Sequence, residues 1–134
     1  MARRKNLPLL TRAETEVMRL LWQHGPSTVQ QLMERMERQV AYTTVLTIVR
    51  ILEQKGYIAH APHPQGGRAH LYRAAVEDSG VRRRHVRDLV DRLFGGRADG
   101  LVVGLIEDEA LTRDELEGLR ARIDQVLGPK RSKP

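Results

Sequence analysis

The chain has 134 residues, of which 40% are hydrophobic and only 4% aromatic, so its core must be built mainly from aliphatic side chains. This length suits one compact domain, or a small domain with an attached assembly module. The sequence contains no cysteine, which excludes disulfides, thiolate metal sites and thiol catalysis. No apolar run approaches the roughly 18 residues of a membrane span, and the first residues lack the apolar segment of a signal peptide. We therefore expect a cytoplasmic protein.

The positive charge is concentrated in one half of the chain. The formal net charge is +6: residues 1–75 carry 11 lysine and arginine residues against 5 acidic ones, whereas residues 76–134 carry 12 of each. Such an excess favours a polyanionic partner, because neutralising phosphates releases counterions. The alternative is a charge distribution that serves solubility alone.

Two helices are predicted after a basic tail at residues 1–9, which we expect to be flexible. Thr11 and Glu14 form a capping box that begins a helix ending before Gly25. A second capping box is predicted at residues 27–30, at the start of a helix with apolar side chains on one face. We expect these two helices to pack together and support a third.

The segment at residues 41–72 is the most informative part of the chain. Residues 42–55 are predicted to form a helix with Gly56 as its left-handed cap. Residues 57–61 and 69–73 are predicted to form two strands, joined by a loop with two adjacent glycines. A helix that begins with small hydroxyl side chains and runs directly into a basic β-hairpin is typical of a winged helix-turn-helix.

The predicted winged helix-turn-helix, residues 10–76, supplies the candidate DNA-binding residues. Short hydroxyl side chains let a helix lie deep in a major groove, where they contact thymine methyls, base edges or phosphates. The glycines at the hairpin tip bring an arginine to a phosphate or to the minor groove. The residues predicted on this basis are Tyr42, Thr43, Thr44, Thr47, Arg50 and Arg68. The alternative is an ordinary solvated helix face, with Tyr42 packed against the first helix.

Three histidines, His60, His63 and His70, lie in or beside the predicted hairpin. Imidazole is a common metal ligand, but no carboxylate or thiolate lies nearby in the sequence to complete four ligands. We therefore predict polar or DNA-facing histidines, no metal site and no cofactor. Because no phosphate-binding glycine loop or catalytic constellation is present in the sequence, the chain is predicted not to be an enzyme and to have no small-molecule substrate.

Residues 77–128 predict three amphipathic helices, followed by a basic tail at residues 129–134. One copy of this segment cannot bury its own apolar stripes, so we expect a symmetric homodimer. A two-fold protein reads the two half-sites of a pseudo-palindrome. The arginines at 82–84 and 87 are compatible either with a nucleic-acid patch or with ion pairs to later acidic residues.

The predicted fold class is thus mainly α, with an N-terminal winged helix-turn-helix of three helices and a β-hairpin and a C-terminal three-helix dimerisation region. The predicted dimerisation residues are Leu89, Leu93, Leu101, Val102, Leu105, Ile106, Leu116, Leu119 and Ile123.

Several motifs resemble those of a known family. The segment from Leu10 to Trp22 has the pattern L-T-x-A-E-x-x-V-M-x-x-x-W, and the resemblance continues through residues 41–47, 52–58, 94–96 and 101–105. Over about residues 9–127 the chain resembles the penicillinase repressors, which include the β-lactamase and methicillin-resistance regulators and the related copper-responsive repressors.

This resemblance implies a homodimeric repressor that binds double-stranded DNA at an operator dyad with TACA/TGTA half-sites. It also implies a membrane-bound sensor metalloprotease as a partner. In that scheme a β-lactam or cell-wall signal leads to cleavage within the dimerisation region, which derepresses antibiotic-resistance genes. The bond cleaved in staphylococcal-type members is Asn-Phe, and the matching residues here are Gly104 and Leu105.

The chain departs from the family pattern at two further points. Leu46, which we also predict to be a DNA-binding residue, stands where an arginine of the staphylococcal-type members contacts bases, so the operator contacts made there are expected to differ. The copper-responsive members use a C-terminal cysteine cluster, which this chain lacks. Two alternatives stay open: a ligand- or metal-responsive winged-helix regulator without proteolysis, and a winged-helix protein-interaction module.

Overall fold

The computed structural model describes residues 7–129, so residues 1–6 and 130–134 of the two predicted basic tails lie outside the described residues. The elements in chain order are α1 (Arg12–His24), α2 (Val29–Arg35), α3 (Tyr42–Lys55), β1 (Ile58–Pro62), β2 (His70–Ala74), α4 (Asp78–Leu93), α5 (Ala98–Glu107) and α6 (Arg113–Leu127). In the described part of the chain, no helix combines the length and the apolar character needed to cross a membrane.

The contacts divide the chain into two units, residues 1–86 and 87–134, and α4 runs through the division. The boundary predicted between residues 76 and 77 stays a prediction. The mainly helical winged-helix fold is confirmed, because three helices are followed by a two-stranded hairpin and then by three further helices.

Capping boxes begin the first two helices. In α1 the Thr11 hydroxyl accepts the backbone N–H of Glu14 at 3.2 Å, and the Glu14 carboxylate accepts the backbone N–H of Thr11 at 2.9 Å. The position predicted for the second box is wrong by one residue, because Thr28 caps α2 by pairing with Gln31. Ser27 is fully buried instead, and its backbone forms a β-bridge to the second strand of the hairpin.

Helix α3 has the predicted bounds. It ends at Gly56, whose φ of 94° lies in the left-handed region that glycine adopts without steric cost. Its apolar face is buried in the core of the first unit, and each fully buried aliphatic side chain stabilises the fold by about 1.5–3 kcal/mol. The core residues are Val17, Met18, Leu21, Val29, Leu32, Met36, Val45, Ile48, Val49, Leu52, Tyr57, Ile58 and Tyr72.

The hairpin strands are antiparallel, and each begins and ends one residue later than predicted. Ile58 lies opposite Ala74, and Pro62 lies opposite His70. Because side chains alternate between the two faces of a strand, Ile58 and Tyr72 point into the core while the rest of the hairpin stays largely exposed. The hairpin is therefore anchored to the core at its base and projects its loop away from it.

Residues 7–10, which we call the N-terminal strap, are held by hydrogen bonds between their backbone and the side chains of later residues. The Tyr57 hydroxyl donates to the carbonyl oxygen of Pro8 at 2.5 Å, and burial raises the pKa of this phenol, so it stays protonated as a donor. The backbone N–H of Leu10 donates to Nε2 of His85 at 2.8 Å. The strap thus joins the start of α1 to the end of α3 and to the first half of α4.

The helices of the second unit leave most of their apolar side chains exposed. Thr112 and Glu115 form the predicted capping box at the start of α6. Neither α5 nor α6 contains a buried residue, and Val90 is the one buried side chain among residues 87–129. The large exposed apolar residues are Leu93, Val102, Val103, Leu105, Ile106, Leu116, Leu119, Ile123, Val126 and Leu127. An apolar surface of this extent indicates an interaction site.

Candidate nucleic-acid interface

The face of α3 opposite the core is polar and exposed. Thr43, Thr47 and Arg50 are spaced by four and three residues, so their side chains lie along one side of the helix. Tyr42 and Thr44 are exposed at its N-terminal end, Tyr42 to 47%. The opposite side of α3 is buried, so the structure presents these five predicted residues together on an anchored helix.

Leu46 has a different environment from its polar neighbours on α3. It is half-buried and packs against the core cluster of the first unit. It follows the fully buried Val45 and therefore lies at the border between the apolar and polar sides of the helix. The part of Leu46 that remains accessible offers only apolar surface.

The hydroxyl group of Thr47 is engaged within the helix. Its Oγ1 donates to the carbonyl oxygen of Thr43 at 2.9 Å. Because the hydroxyl proton is used in this bond, Thr47 presents a lone pair and a methyl group outward. These groups suit an amino group of adenine or cytosine, or a thymine methyl.

The N-terminus of α3 differs from those of α1, α2 and α6. Those three helices begin with capping boxes, whereas Ala41 at the start of α3 provides no side-chain cap. The first backbone N–H groups of a helix carry partial positive charge and favour a nearby anion. In combination with the exposed Tyr42, this end of α3 suits a phosphate oxygen.

The hairpin loop carries an exposed arginine beside two glycines. Gly66 and Gly67 have φ values of 86° and 89°, a conformation that favours glycine, and the Gly66 N–H donates to the carbonyl oxygen of His63 at 2.9 Å. Arg68 is exposed and forms no ion pair within residues 7–129. Its guanidinium is therefore available to a partner.

One of the histidines, His60, connects the hairpin to α3, and a second, His70, packs against it. Nδ1 of His60 lies 2.6 Å from Oε2 of Glu53, and the rings of His60 and His70 stack with centroids 4.6 Å apart. No group of three or more potential metal ligands gathers anywhere in the described part of the chain. The contact with Glu53 sets the hairpin against the C-terminal half of α3.

The pKa of the Tyr72 phenol is raised by its surroundings between the hairpin and α3. Burial raises the pKa of its phenol most, the Glu53 carboxylate raises that pKa further, and the Arg50 guanidinium opposes both effects. The hydroxyl is therefore neutral at physiological pH.

Residues 10–125 match the sequence model of a family described as penicillinase repressor. The chain belongs to the penicillinase repressor family. The prediction from the motifs is thus confirmed, as are the predictions that the protein is a DNA-binding transcriptional repressor and that it is not an enzyme.

Characterised members of the penicillinase repressor family align with most of the chain. The transcriptional regulator BlaI of Mycobacterium tuberculosis is 35% identical over 114 residues, which cover 72% of this chain and 83% of BlaI. The methicillin resistance regulatory protein MecI of Mammaliicoccus sciuri is 26% identical over 113 residues, 83% of this chain and 89% of MecI. The penicillinase repressor of Bacillus licheniformis is 23% identical over 129 residues, and the alignment covers 95% of this chain and 98% of that repressor.

Solved structures support the same fold. A mutant of Escherichia coli MarR, crystallised with operator DNA, superposes with a TM-score of 0.54 at 20% identity and covers 89% of this chain and 76% of that one. A transcriptional regulator of Thermotoga maritima superposes with a TM-score of 0.53 at 19% identity, and the match covers 88% of this chain and 74% of that one. At this identity the likeness concerns the fold alone.

The two residues at which cleavage was predicted lie within a helix. Gly104 is half-buried and Leu105 is 42% exposed, and both belong to α5. Most of the predicted dimerisation residues are exposed, whereas Leu89 and Leu101 are half-buried. Val103 is 47% exposed and joins this set of exposed apolar residues. The continuous apolar run at residues 101–103 already indicated it.

One residue on the polar face of α3 was missed in the sequence. Gln54 is exposed and follows Thr47 and Arg50 at a spacing of seven and four residues, which places it on the same side of the helix. A glutamine amide pairs with two atoms of an adenine edge. The helical spacing alone was sufficient to find it.

Proposed function

We propose that the protein is a homodimer that represses transcription from a pseudo-palindromic operator with TACA/TGTA-type half-sites. In this proposal α3 enters the major groove, and the hairpin loop contacts the backbone or the minor groove. The observation that carries it is the exposed hydroxyl-rich face of α3, uncapped at its N-terminus and joined to a basic hairpin. Membership of a repressor family supports the same assignment.

The side chains suggest a division of roles on the operator. Thr44, Thr47 and Arg50 contact base edges, while Tyr42 and the first N–H groups of α3 bind a phosphate. Thr43 lies beside them on the same face. Leu46 contacts a thymine methyl rather than the guanine edge that an arginine would bind in the same place, because it offers only apolar surface.

The homodimer is proposed to form through the second unit. The exposed apolar residues of α5 and α6 have too few partners within one copy to be buried. Two-fold association covers the same surface on both copies and brings two winged helices to two half-sites. This arrangement requires that DNA affinity depends on dimer formation.

The relatives linked by name to methicillin resistance and penicillinase support a role in antibiotic resistance. We propose that a membrane sensor metalloprotease cleaves the Gly104–Leu105 bond in response to a β-lactam or cell-wall signal. The bond is helical, so α5 must unwind locally first. Gly104 favours this step, because glycine lowers the stability of a helix interior by about 1 kcal/mol relative to alanine.

Mass spectrometry of the repressor recovered from β-lactam-treated cells tests the cleavage proposal. We expect one fragment ending at Gly104 and another beginning at Leu105. Intact protein at a time when the repressed genes are transcribed would contradict it and would favour a regulator that works without proteolysis.

A gel-shift titration with a duplex carrying both half-sites tests the DNA interface. Thr44→Ala and Arg50→Ala should each weaken binding by about 1–3 kcal/mol, or roughly fivefold to 150-fold. Thr15→Ala and Arg12→Ala on α1 are matched controls and should bind like the wild type. Sedimentation should show unchanged dimer formation for all four variants. Wild-type affinity in both α3 variants would refute the assignment of this helix.

A further inference from the structure

We propose that a cavity between α1 and the start of α4 binds a small amphipathic organic anion, such as an aryl carboxylate. The cavity has a volume of about 480 Å³, within the roughly 300–1,000 Å³ typical of small-molecule sites. All the residues that line it belong to the first unit, and they come from the strap, α1 and α4 rather than from α3 or the hairpin. The site is therefore separate from the DNA interface.

The apolar part of the cavity is preformed. Trp22, Leu10, Val81 and Val86 contribute to its lining. The orientation of the Trp22 ring is set by its Nε1–H, which donates to the carbonyl oxygen of Val76 at 2.9 Å. An indole held in this way offers a flat surface for an aromatic or aliphatic ligand body.

His85 closes the cavity without adding charge to it. Its Nε2 accepts the backbone N–H of Leu10 at 2.8 Å, so that nitrogen carries no proton. Its Nδ1 lies 2.9 Å from the carbonyl oxygen of Val81 and must therefore donate. Both ring nitrogens are thus used in a neutral imidazole, which fastens the strap to α4 and fixes two sides of the cavity.

Two arginines, Arg19 and Arg82, outnumber the one carboxylate in the lining of the cavity, that of Asp78, and so give the cavity a preference for an anion. Arg19 is exposed and has no ion-pair partner within residues 7–129. Arg82 has only a long ion pair of 3.5 Å with Asp78, in which both side chains are more than half exposed. A carboxylate can therefore accept hydrogen bonds from the Arg19 guanidinium, with Arg82 adding positive charge, while the apolar body of the ligand lies against Trp22.

The chain contains a single tryptophan, so its indole N–H gives one unambiguous signal in an ¹H–¹⁵N NMR spectrum. We would titrate the full-length protein with 1-naphthoate and with the uncharged 1-naphthamide. The Trp22 indole signal should move saturably with 1-naphthoate, and 1-naphthamide should bind about tenfold more weakly because it lacks the charge-assisted hydrogen bonds.

Variants then locate the site. Arg19→Gln should weaken 1-naphthoate binding about tenfold and leave 1-naphthamide unchanged. Arg12→Gln, on the same helix but outside the cavity, should bind like the wild type. Val86→Phe should weaken both probes because it narrows the cavity. An unmoved indole signal, equal affinities for the two probes, or full affinity in Arg19→Gln would overturn the proposal. The titration contains no DNA, so such a result leaves the proposed repressor function standing.

Discussion

Nζ of Lys55 lies 2.6 Å from Oε1 of Glu14, so an ion pair joins the end of α3 to the start of α1. The Glu14 side chain is only 6% exposed and that of Lys55 22%. The same carboxylate oxygen accepts the backbone N–H of Thr11, so the capping box of α1 and the ion pair share one group. The position of α3 therefore depends on the cap of another helix.

Replacing Lys55 by Met should destabilise the protein by about 3 kcal/mol, because it leaves a buried carboxylate without its cation. Urea unfolding measures the change. Arg38→Met is the control, since it removes an ion pair to Glu16 whose arginine is 58% exposed, and such pairs contribute about 0–1 kcal/mol. Equal losses in the two variants would contradict a special role for Lys55.

The stability should also depend on pH through Glu14. Burial alone raises the pKa of this carboxyl, but hydrogen bonds from Lys55 and Thr11, together with the lysine charge, outweigh burial and hold the pKa below 4.5. A carboxyl with a lowered folded-state pKa stabilises the protein above its unfolded pKa, and this contribution is lost as the pH falls through the folded value. As the pH is lowered from 4.5, the free energy of unfolding of Glu14→Gln should therefore fall less than that of the wild type. Urea unfolding at each pH measures the difference. The exposed Glu37→Gln should follow the wild-type curve.

Gly56 should not tolerate a side chain. Its φ is 94°, and an added Cβ would lie 3.1 Å from Cδ2 of Leu7 in the N-terminal strap. We expect Gly56→Ala to lower the free energy of unfolding by about 1–2 kcal/mol. Gly118→Ala is the opposite case: the residue lies inside α6 with open space around it, so alanine should stabilise the helix by about 1 kcal/mol. Thermal unfolding that shows stabilisation in both variants would refute the constraint at Gly56.

Arg68 should contribute mainly electrostatic affinity. Arg68→Ala should reduce the magnitude of the slope of log K against log salt concentration by about one, as expected for the loss of one phosphate contact. Fluorescence anisotropy with operator DNA at several salt concentrations measures the slope. Arg12→Ala serves as the control for the removal of one positive charge elsewhere. A slope that is the same in Arg68→Ala and the wild type would place the hairpin loop away from the DNA.

A charge in the apolar surface of α6 should prevent dimer formation. Ile123 is 53% exposed in the single chain, and Ile123→Glu would bury a carboxylate without a partner in the proposed interface. We expect a monomer in sedimentation velocity, unchanged folding of the winged helix by circular dichroism, and weaker binding to a two-half-site operator. Gln125→Glu, which adds the same charge to an exposed position of α6, should remain dimeric. A dimeric Ile123→Glu variant would exclude this part of α6 from the interface.

Local signals predicted most of the helices and their ends. The capping boxes of α1 and α6 and the cap at Gly56 depend on residues within one helical turn, so a short stretch of sequence contains all the groups that take part. The predicted cap of α2 was wrong by one residue because Ser27 takes part in a contact with the hairpin instead. Its backbone pairs with Tyr72, a strand residue 45 positions later, and this long-range contact leaves the capping role to Thr28.

By itself, the sequence determined the winged-helix architecture, the family and the polar face of α3, because these follow from residue spacing, composition and motifs. Only the tertiary structure decided which distant groups meet. Glu14 and Lys55 are 41 residues apart, and Leu10 and His85 are 75 residues apart, yet each pair is in hydrogen-bond contact. Packing of the helices also leaves Leu46 half-buried and creates the cavity beside Trp22. Contacts of this kind depend on the three-dimensional placement of helices, which no local pattern encodes.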